Sequence, residues 1–182
     1  MKKPFDSYTK YALTDQEIQR CLQKCDTTEK ECIIKIGVTL GLRRADMALI
    51  NINDVDFTNH QLQYYEEKKD RIRRVPMTAD LELCLQKHIN SIGSRKYLFK
   101  NPSGATMYRR FQEILDDAGI KMENGRTTRP FHALRGTCYK YWQRKGMPVE
   151  QIAELLGDTL ETAMKHYGKA TLAELDQTMR GA

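Results

Sequence analysis

Apolar residues return every three or four positions along most of this chain and every second position along one stretch. Ile18, Cys21, Leu22 and Cys25 follow at helical spacing, and the preceding TDQE offers a capping box, with Thr14 as N-cap and Glu17 reaching back to it. Residues 1–13 read as an irregular lead-in, and residues 14–182 as one domain. Cys32, Ile33, Ile36 and Leu40 predict a second helix that stops at Gly41. Met47 and Leu49 predict a short third one, opened by the charged cluster Arg43, Arg44 and Asp46. Between Asp54 and Met77 the period shortens. Val55 with Phe57, Leu62 with Tyr64, and Ile72 with Val75 predict three strands of a small antiparallel meander that turns at TNH and at EEKKD.

Helical spacing resumes at Thr78, an N-cap for a helix with Leu81, Cys84, Leu85, His88 and Ile89 on one face; His88 belongs to that stripe and reads as a packed or rim histidine. Tyr108, Phe111, Ile114, Leu115 and Ala118 mark another helix, closed by Gly119. After the polar loop ENGRTTRP, a helix from about His132 to Lys145 ends at Gly146, and Pro148 starts the next, which carries Val149, Ile152, Ala153 and Leu156 before Gly157. A short final pair runs through Tyr167 and then from Thr171 to Arg180. The expected fold class is therefore α+β, mainly α: a helical bundle with a small three-stranded antiparallel sheet.

A chain of 182 residues suits one compact domain with a substantial core. Lys plus Arg outnumber Asp plus Glu by 30 to 24 and the pI is near 9.0, which favours a polyanionic partner. The five cysteines form no pair of Cys-x-x-Cys units and the four histidines do not stand at metal-ligand spacing around them, so no metal site is expected. Cys21, Cys25, Cys32 and Cys84 fall in apolar helical registers and read as small buried hydrophobes of a reducing compartment. The N-terminal MKKPFDSYTK is basic but lacks the apolar run of a signal peptide, and no stretch approaches a membrane span. A cytoplasmic protein without membrane association is the expectation.

RPFHALRG places His132 and Arg135 three positions apart at the start of a helix, where they share a face. Each discourages the other from carrying charge, and a strongly negative group between them removes that conflict. Phosphodiester cleavage supplies such a group: charge builds on the phosphate oxygens as phosphorus becomes five-coordinate, and fixed positive donors stabilise it. Arginine suits the task because its planar fork matches two phosphate oxygens and stays charged. The spacing alone is common on ordinary helices. Its weight comes from three further segments in a fixed order.

LGLRRADMALININDVDF resembles the segment of tyrosine recombinases, the phage integrase family, that supplies a first catalytic arginine in the pattern Gly-x-Arg-x-x-acid; the match falls on Arg43 and Asp46. EEKKDRIRRVPM resembles the family's hairpin, with a lysine eight residues before a strand-ending proline, here Lys68 before Pro76. HALRGT matches the His-x-x-Arg box at His132 and Arg135. IAELLGDTLETAMKHYGKA resembles the Leu-Leu-Gly-His segment, whose tyrosine nine positions on is here Tyr167. The resemblance runs from about Leu13 to the end of the chain and implies the tyrosine recombinase catalytic-domain fold.

It also implies a DNA breaking and joining enzyme that needs no cofactor. Tyr167 would attack a phosphate; a phenol with a pKa of about 10 is a poor nucleophile at neutral pH, so neighbouring cations must favour its phenolate. Arg43 and Arg135 would clamp the nonbridging oxygens, His132 would bind the phosphate or assist proton transfer, and Lys68 would protonate the leaving oxygen. Asp46 would brace Arg43 or a neighbouring donor rather than react. Arg44, Lys69, Arg73 and Arg129 are expected to contact the DNA backbone. Double-stranded DNA is the implied partner, with a homotetramer assembling on it from a monomer or weak oligomer. The resemblance also implies a separate DNA-clamping domain ahead of the catalytic part; residues 14–182 are expected to be the catalytic part without it, as an excised fragment or a minimal form. Where the family has histidine or sometimes tryptophan, this chain has Asp158. DTLE would make it the N-cap of the tyrosine-bearing helix with Glu161 at N3, a supporting role outside the transition state. Two rival readings stand beside the enzyme. VEQIAELLGDTLETAMKHYG also reads as a helix-turn-helix DNA-binding module, and Asp158 could mark a recombinase relic that has lost activity.

Overall fold

Capping residues set many of the helix boundaries in the computed structural model, which describes residues 11–120, 130–167 and 172–181. The Thr14 hydroxyl accepts from the Glu17 N–H at 3.2 Å while the Glu17 carboxylate accepts from the Thr14 N–H at 2.9 Å, the expected reciprocal cap, and α1 runs Asp15–Lys24. Helix α2 (Thr28–Leu40) starts behind Thr27 and stops where Gly41 turns left-handed, φ 61°. One turn, α3 (Arg44–Ala48), follows with Arg43 at its N-cap. Leu49, assigned to that helix from the sequence, falls just after it and is exposed because its side chain points away from the core.

Strands β1 (Val55–Asp56), β2 (Gln61–Glu66) and β3 (Arg71–Pro76) form an antiparallel sheet in that order. Alternation turns Leu62, Tyr64 and Glu66 inward, opposite Val75, Arg73 and Arg71. The sequence pairing of Ile72 with Val75 fails on that period, since residues three apart cannot share a strand face. Ile72 instead lies opposite Tyr65 on the outer face, and both are exposed.

Helices α4 (Ala79–Ile92), α5 (Gly104–Asp117), α6 (Ala133–Arg144), α7 (Val149–Leu156), α8 (Leu160–Tyr167) and α9 (Leu172–Arg180) complete the described residues. The α+β, mainly α expectation holds. Apolar nearly all round, α2 buries Cys32, Ile33, Ile34, Ile36, Val38 and Leu40 and packs against α4, α5 and α6. Each such aliphatic side chain contributes roughly 1.5–3 kcal/mol by leaving water. A smaller cluster joins α6, α7 and α8 through Cys138, Tyr139, Ile152, Leu156 and Ala163. Gly41 sits where the two cores meet: a Cβ there would lie 2.5 Å from Leu156 Cδ2 and 3.0 Å from Cys138 Cβ.

His88 is packed, as its stripe implied. Its Nε2 donates to the Leu98 carbonyl at 2.9 Å, so Nδ1 accepts from the Thr28 hydroxyl at 2.8 Å, and burial holds its pKa below the ordinary histidine value. All five cysteines are free; burial pushes the Cys138 thiol up to about 12. No described helix is long and apolar enough to cross a membrane.

Candidate active site

The left-handed turn at Gly41 reverses the chain after α2, and buried Leu42 anchors the next residue, so Arg43 emerges at a fixed point beside the sheet. Its Nη1 donates to Glu66 Oε1 at 2.7 Å, its Nη2 to Asp158 Oδ1 at 3.4 Å, and Asp46 Oδ2 stands 3.9 Å from Nη1. Arg135 comes from the first turn of α6 and is nearly buried, with a side-chain exposure of 4%. Its Nη1 donates to the Gly41 carbonyl at 2.8 Å, and its Nη2 donates to the Leu156 carbonyl and, at 2.8 Å, to Asp158 Oδ2. The two arginines, one after α2 and one on α6, therefore meet on one carboxylate.

That carboxylate corrects the sequence reading of Asp158. The N-cap of α8 is Thr159, whose hydroxyl accepts from the Thr162 N–H at 3.1 Å and whose carbonyl accepts from the Ala163 N–H at 2.9 Å. Asp158 comes one residue too early to cap. Its N–H instead closes α7 on the Ala153 carbonyl at 2.9 Å, which directs its side chain at the arginines.

Acidic groups hold Arg43 from behind. Glu66 has no exposed side-chain surface and bridges Arg43 to Arg71, whose Nε donates to Oε2 at 2.8 Å. Burial pushes the Glu66 pKa up, but the hydrogen bonds from Arg71 and Arg43 outweigh it and hold the carboxyl below its ordinary value. For Asp46 burial wins over the Glu67 N–H bond at 3.2 Å and the Arg43 charge, and the pKa is raised. Glu66 was missed from the sequence, although the period of β2 carried the signal: it continues the inward series Leu62, Tyr64.

The remaining predicted residues divide by placement. His132 opens α6 and, with Arg43, exposed Arg44, Tyr108 and Phe131, lines a cavity of about 350 Å³. At the hairpin tip Lys68 is exposed, whereas the Lys69 ammonium donates to the Gly157 carbonyl, one residue from Asp158. Arg73, expected on DNA, turns inward instead. Its guanidinium donates to the Tyr64 hydroxyl at 3.0 Å and to the Leu155 and Glu154 carbonyls at 3.2 and 2.5 Å, because β3 presents it to the C-terminal end of α7. Tyr167 closes α8. Its side chain, like the whole of Arg129, lies outside the described residues. Among the described residues no group of three His, Cys, Asp or Glu side chains could hold a metal ion.

Helical bundle and three-stranded sheet are arranged as in the catalytic domains of tyrosine recombinases. The fold matches a crystal structure of XerA recombinase with a TM-score of 0.81 at 20% identity, covering 100% of this chain and 66% of that one. It also matches XerH site-specific recombinase bound to its difH substrate in a pre-cleavage complex, with a TM-score of 0.68 at 20% identity, covering 93% of this chain and 53% of that one. Residues 12–173 match the phage integrase family, and the chain belongs to it. In sequence it is 28% identical over 146 residues to the tyrosine recombinase XerA of Saccharolobus solfataricus. That alignment covers 80% of this chain and 47% of the relative, so the chain spans about half the relative's length.

Proposed function

We propose that residues 14–182 form the catalytic part of a site-specific DNA recombinase that cuts and rejoins strands through a three-prime phosphotyrosyl intermediate. The observation that carries this reading is the meeting of Arg43 and Arg135 on a single anion, 3.4 and 2.8 Å from its two oxygens. Family membership and a relative named as a tyrosine recombinase support it. Double-stranded DNA is the proposed substrate, in keeping with the similar fold of the Tn1549 transposon integrase in complex with transposon right end DNA.

In this mechanism the arginine pair takes the nonbridging oxygens of the scissile phosphate. The Tyr167 phenolate oxygen forms a bond to phosphorus, the bond to the five-prime oxygen breaks, and a hairpin lysine supplies that oxygen with its proton. His132, on the rim of the cavity, binds the phosphate or takes the phenol proton. Attack by a five-prime hydroxyl reverses the step, and the phosphotyrosyl bond conserves the energy of the phosphodiester, so the chemistry runs without a cofactor.

A nicked duplex that loses its five-prime fragment on cleavage traps the intermediate. Denaturing electrophoresis is expected to show a protein band shifted by the DNA strand, absent in Tyr167→Phe and reduced at least tenfold in Arg135→Lys, which lacks the planar fork. On the same substrate Lys68→Ala tests the lysine that the motif selects and Lys69→Ala the one that reaches the Gly157 carbonyl. Loss of adduct in one of them alone identifies the proton donor. A wild-type chain that binds DNA and gives no adduct would leave the second reading, a non-catalytic DNA-binding relic, which the carboxylate between the arginines favours.

A homotetramer on DNA completes the proposal. Helix α9 exposes Leu172, Leu175 and Met179, an apolar stripe at helical spacing that suits exchange between neighbouring copies.

A further inference from the structure

We propose that Asp158 is a built-in occupant of the arginine pair: its carboxylate stands where a phosphate belongs and must leave before a phosphodiester can bind, so Asp158 sets the affinity of the site for phosphate. The inference rests on the recombinase reading only in taking a phosphodiester as the natural ligand.

Geometry makes the case. Both carboxylate oxygens are engaged by different arginines, Oδ1 by Arg43 Nη2 at 3.4 Å and Oδ2 by Arg135 Nη2 at 2.8 Å. A carboxylate and a phosphodiester both present two oxygens to a guanidinium fork, so the contacts that hold one can hold the other. Asp158 is 9% exposed at its side chain, which leaves little room for a second anion beside it. Helix capping does not explain its orientation, because Thr159 caps α8.

Charge points the same way. Arg43, Arg71 and Arg135 face Glu66, Asp46 and Asp158, while the Lys69 ammonium on the Gly157 carbonyl and the Arg73 guanidinium beside Gly157 stand at the edge of the cluster. A phosphodiester bound to the arginine pair while Asp158 stays in place would set its charge against the Asp158 carboxylate in a partly dry site, a repulsion that low dielectric magnifies. Exchanging one anion for the other avoids that repulsion. The exchange needs no new anchorage of the backbone, since the Asp158 N–H is held by Ala153 and a side-chain rotation can free the carboxylate.

The test uses the full chain and inorganic phosphate, with thermal unfolding followed in phosphate and in chloride at matched ionic strength. Asp158→Asn keeps the shape and removes the charge. The variant is expected to gain about 4 °C in Tm at phosphate ten times its Kd, the wild type to respond no differently to the two salts, and the double variant Asp158→Asn with Arg43→Gln to lose the gain. Equal phosphate responses in wild type and Asp158→Asn overturn the proposal. Should the variant fail to fold, the wild type decides by NMR of its arginine side chains. Arg43 and Arg135 signals that stay in place in submillimolar phosphate support the proposal, and saturable shifts there refute it. Neither readout involves Tyr167 or strand cleavage, so a failure here is separable from a failure to form the covalent adduct.

Discussion

Arg43 and Arg135 are held by different chemistry, and the difference decides how each responds to change. Arg135 is fixed by the Gly41 and Leu156 carbonyls, which do not titrate, as well as by the Asp158 carboxylate it shares with Arg43. Arg43 leans on Glu66, whose pKa is held below the ordinary range by Arg71 and Arg43 against the opposing effect of burial. The ionised Glu66 therefore contributes stability that is fully present above the unfolded-chain value of about 4.3 and is lost as pH falls through the lower folded value. Glu66→Gln is expected to weaken the fold at pH 7 by on the order of 2 kcal/mol, and its urea midpoint should fall less than that of the wild type on acidification below about pH 4. Parallel acid limbs would contradict this. Asp46 behaves in the opposite sense: burial raises its pKa, so its charge opposes folding at neutral pH and protonation relieves that cost. The sequence pointed to Arg43, Arg135 and Asp46 because motif spacing survives in one dimension. It concealed the role of Glu66, which depends on a strand placing that carboxyl beside an arginine from another element.

At the scale of elements, glycines fix how the site-bearing segments meet. Gly41 and Gly157 were legible as helix stops, and both are left-handed, φ 61° and 68°. Their second role, letting neighbours approach, was not legible: a Cβ on Gly41 would press on Leu156 and Cys138, and one on Gly157 would meet the Arg73 guanidinium. Gly119 provides a control, being left-handed at φ 64° with open space within 4 Å of where a Cβ would stand. Gly119→Ala is expected to cost about 1 kcal/mol for backbone conformation alone. Gly41→Ala should cost about 2 kcal/mol more, from overpacking, and should lower adduct yield by displacing the carbonyl that holds Arg135. Equal losses in chemical denaturation would remove close packing from the account. The Asp158 correction belongs at this scale as well. A capping motif read one residue early exchanges a helix cap for an arginine ligand.

Across the whole molecule, a formal net charge of +6 and the cations around the cavity predict electrostatic binding to a polyanion. If Arg43, Arg135 and one hairpin lysine converge on the scissile phosphate and Arg44 takes a second, log Kobs for duplex DNA should fall with log salt at a slope of about −2, and Arg44→Gln should reduce its magnitude by about 0.9. Fluorescence anisotropy over a salt series measures both, and a slope near zero would exclude the arrangement. Deleting residues 170–182 should abolish assembly on DNA as judged by light scattering, with the adduct still formed; full assembly without α9 would exclude exchange of that helix. What the sequence by itself determined was local: caps, helix stops, the period of the sheet, and motifs whose spacing carries an ordered set of residue types. Those features depend on neighbours within a few positions. Only the tertiary structure decided which charges face one another, namely Glu66 against Arg43, Lys69 rather than Lys68 against Gly157, Arg73 turned inward, and Asp158 between two arginines. Each of those pairings joins residues from separate elements, and electrostatic energy depends on distance in space, which no period along the chain encodes.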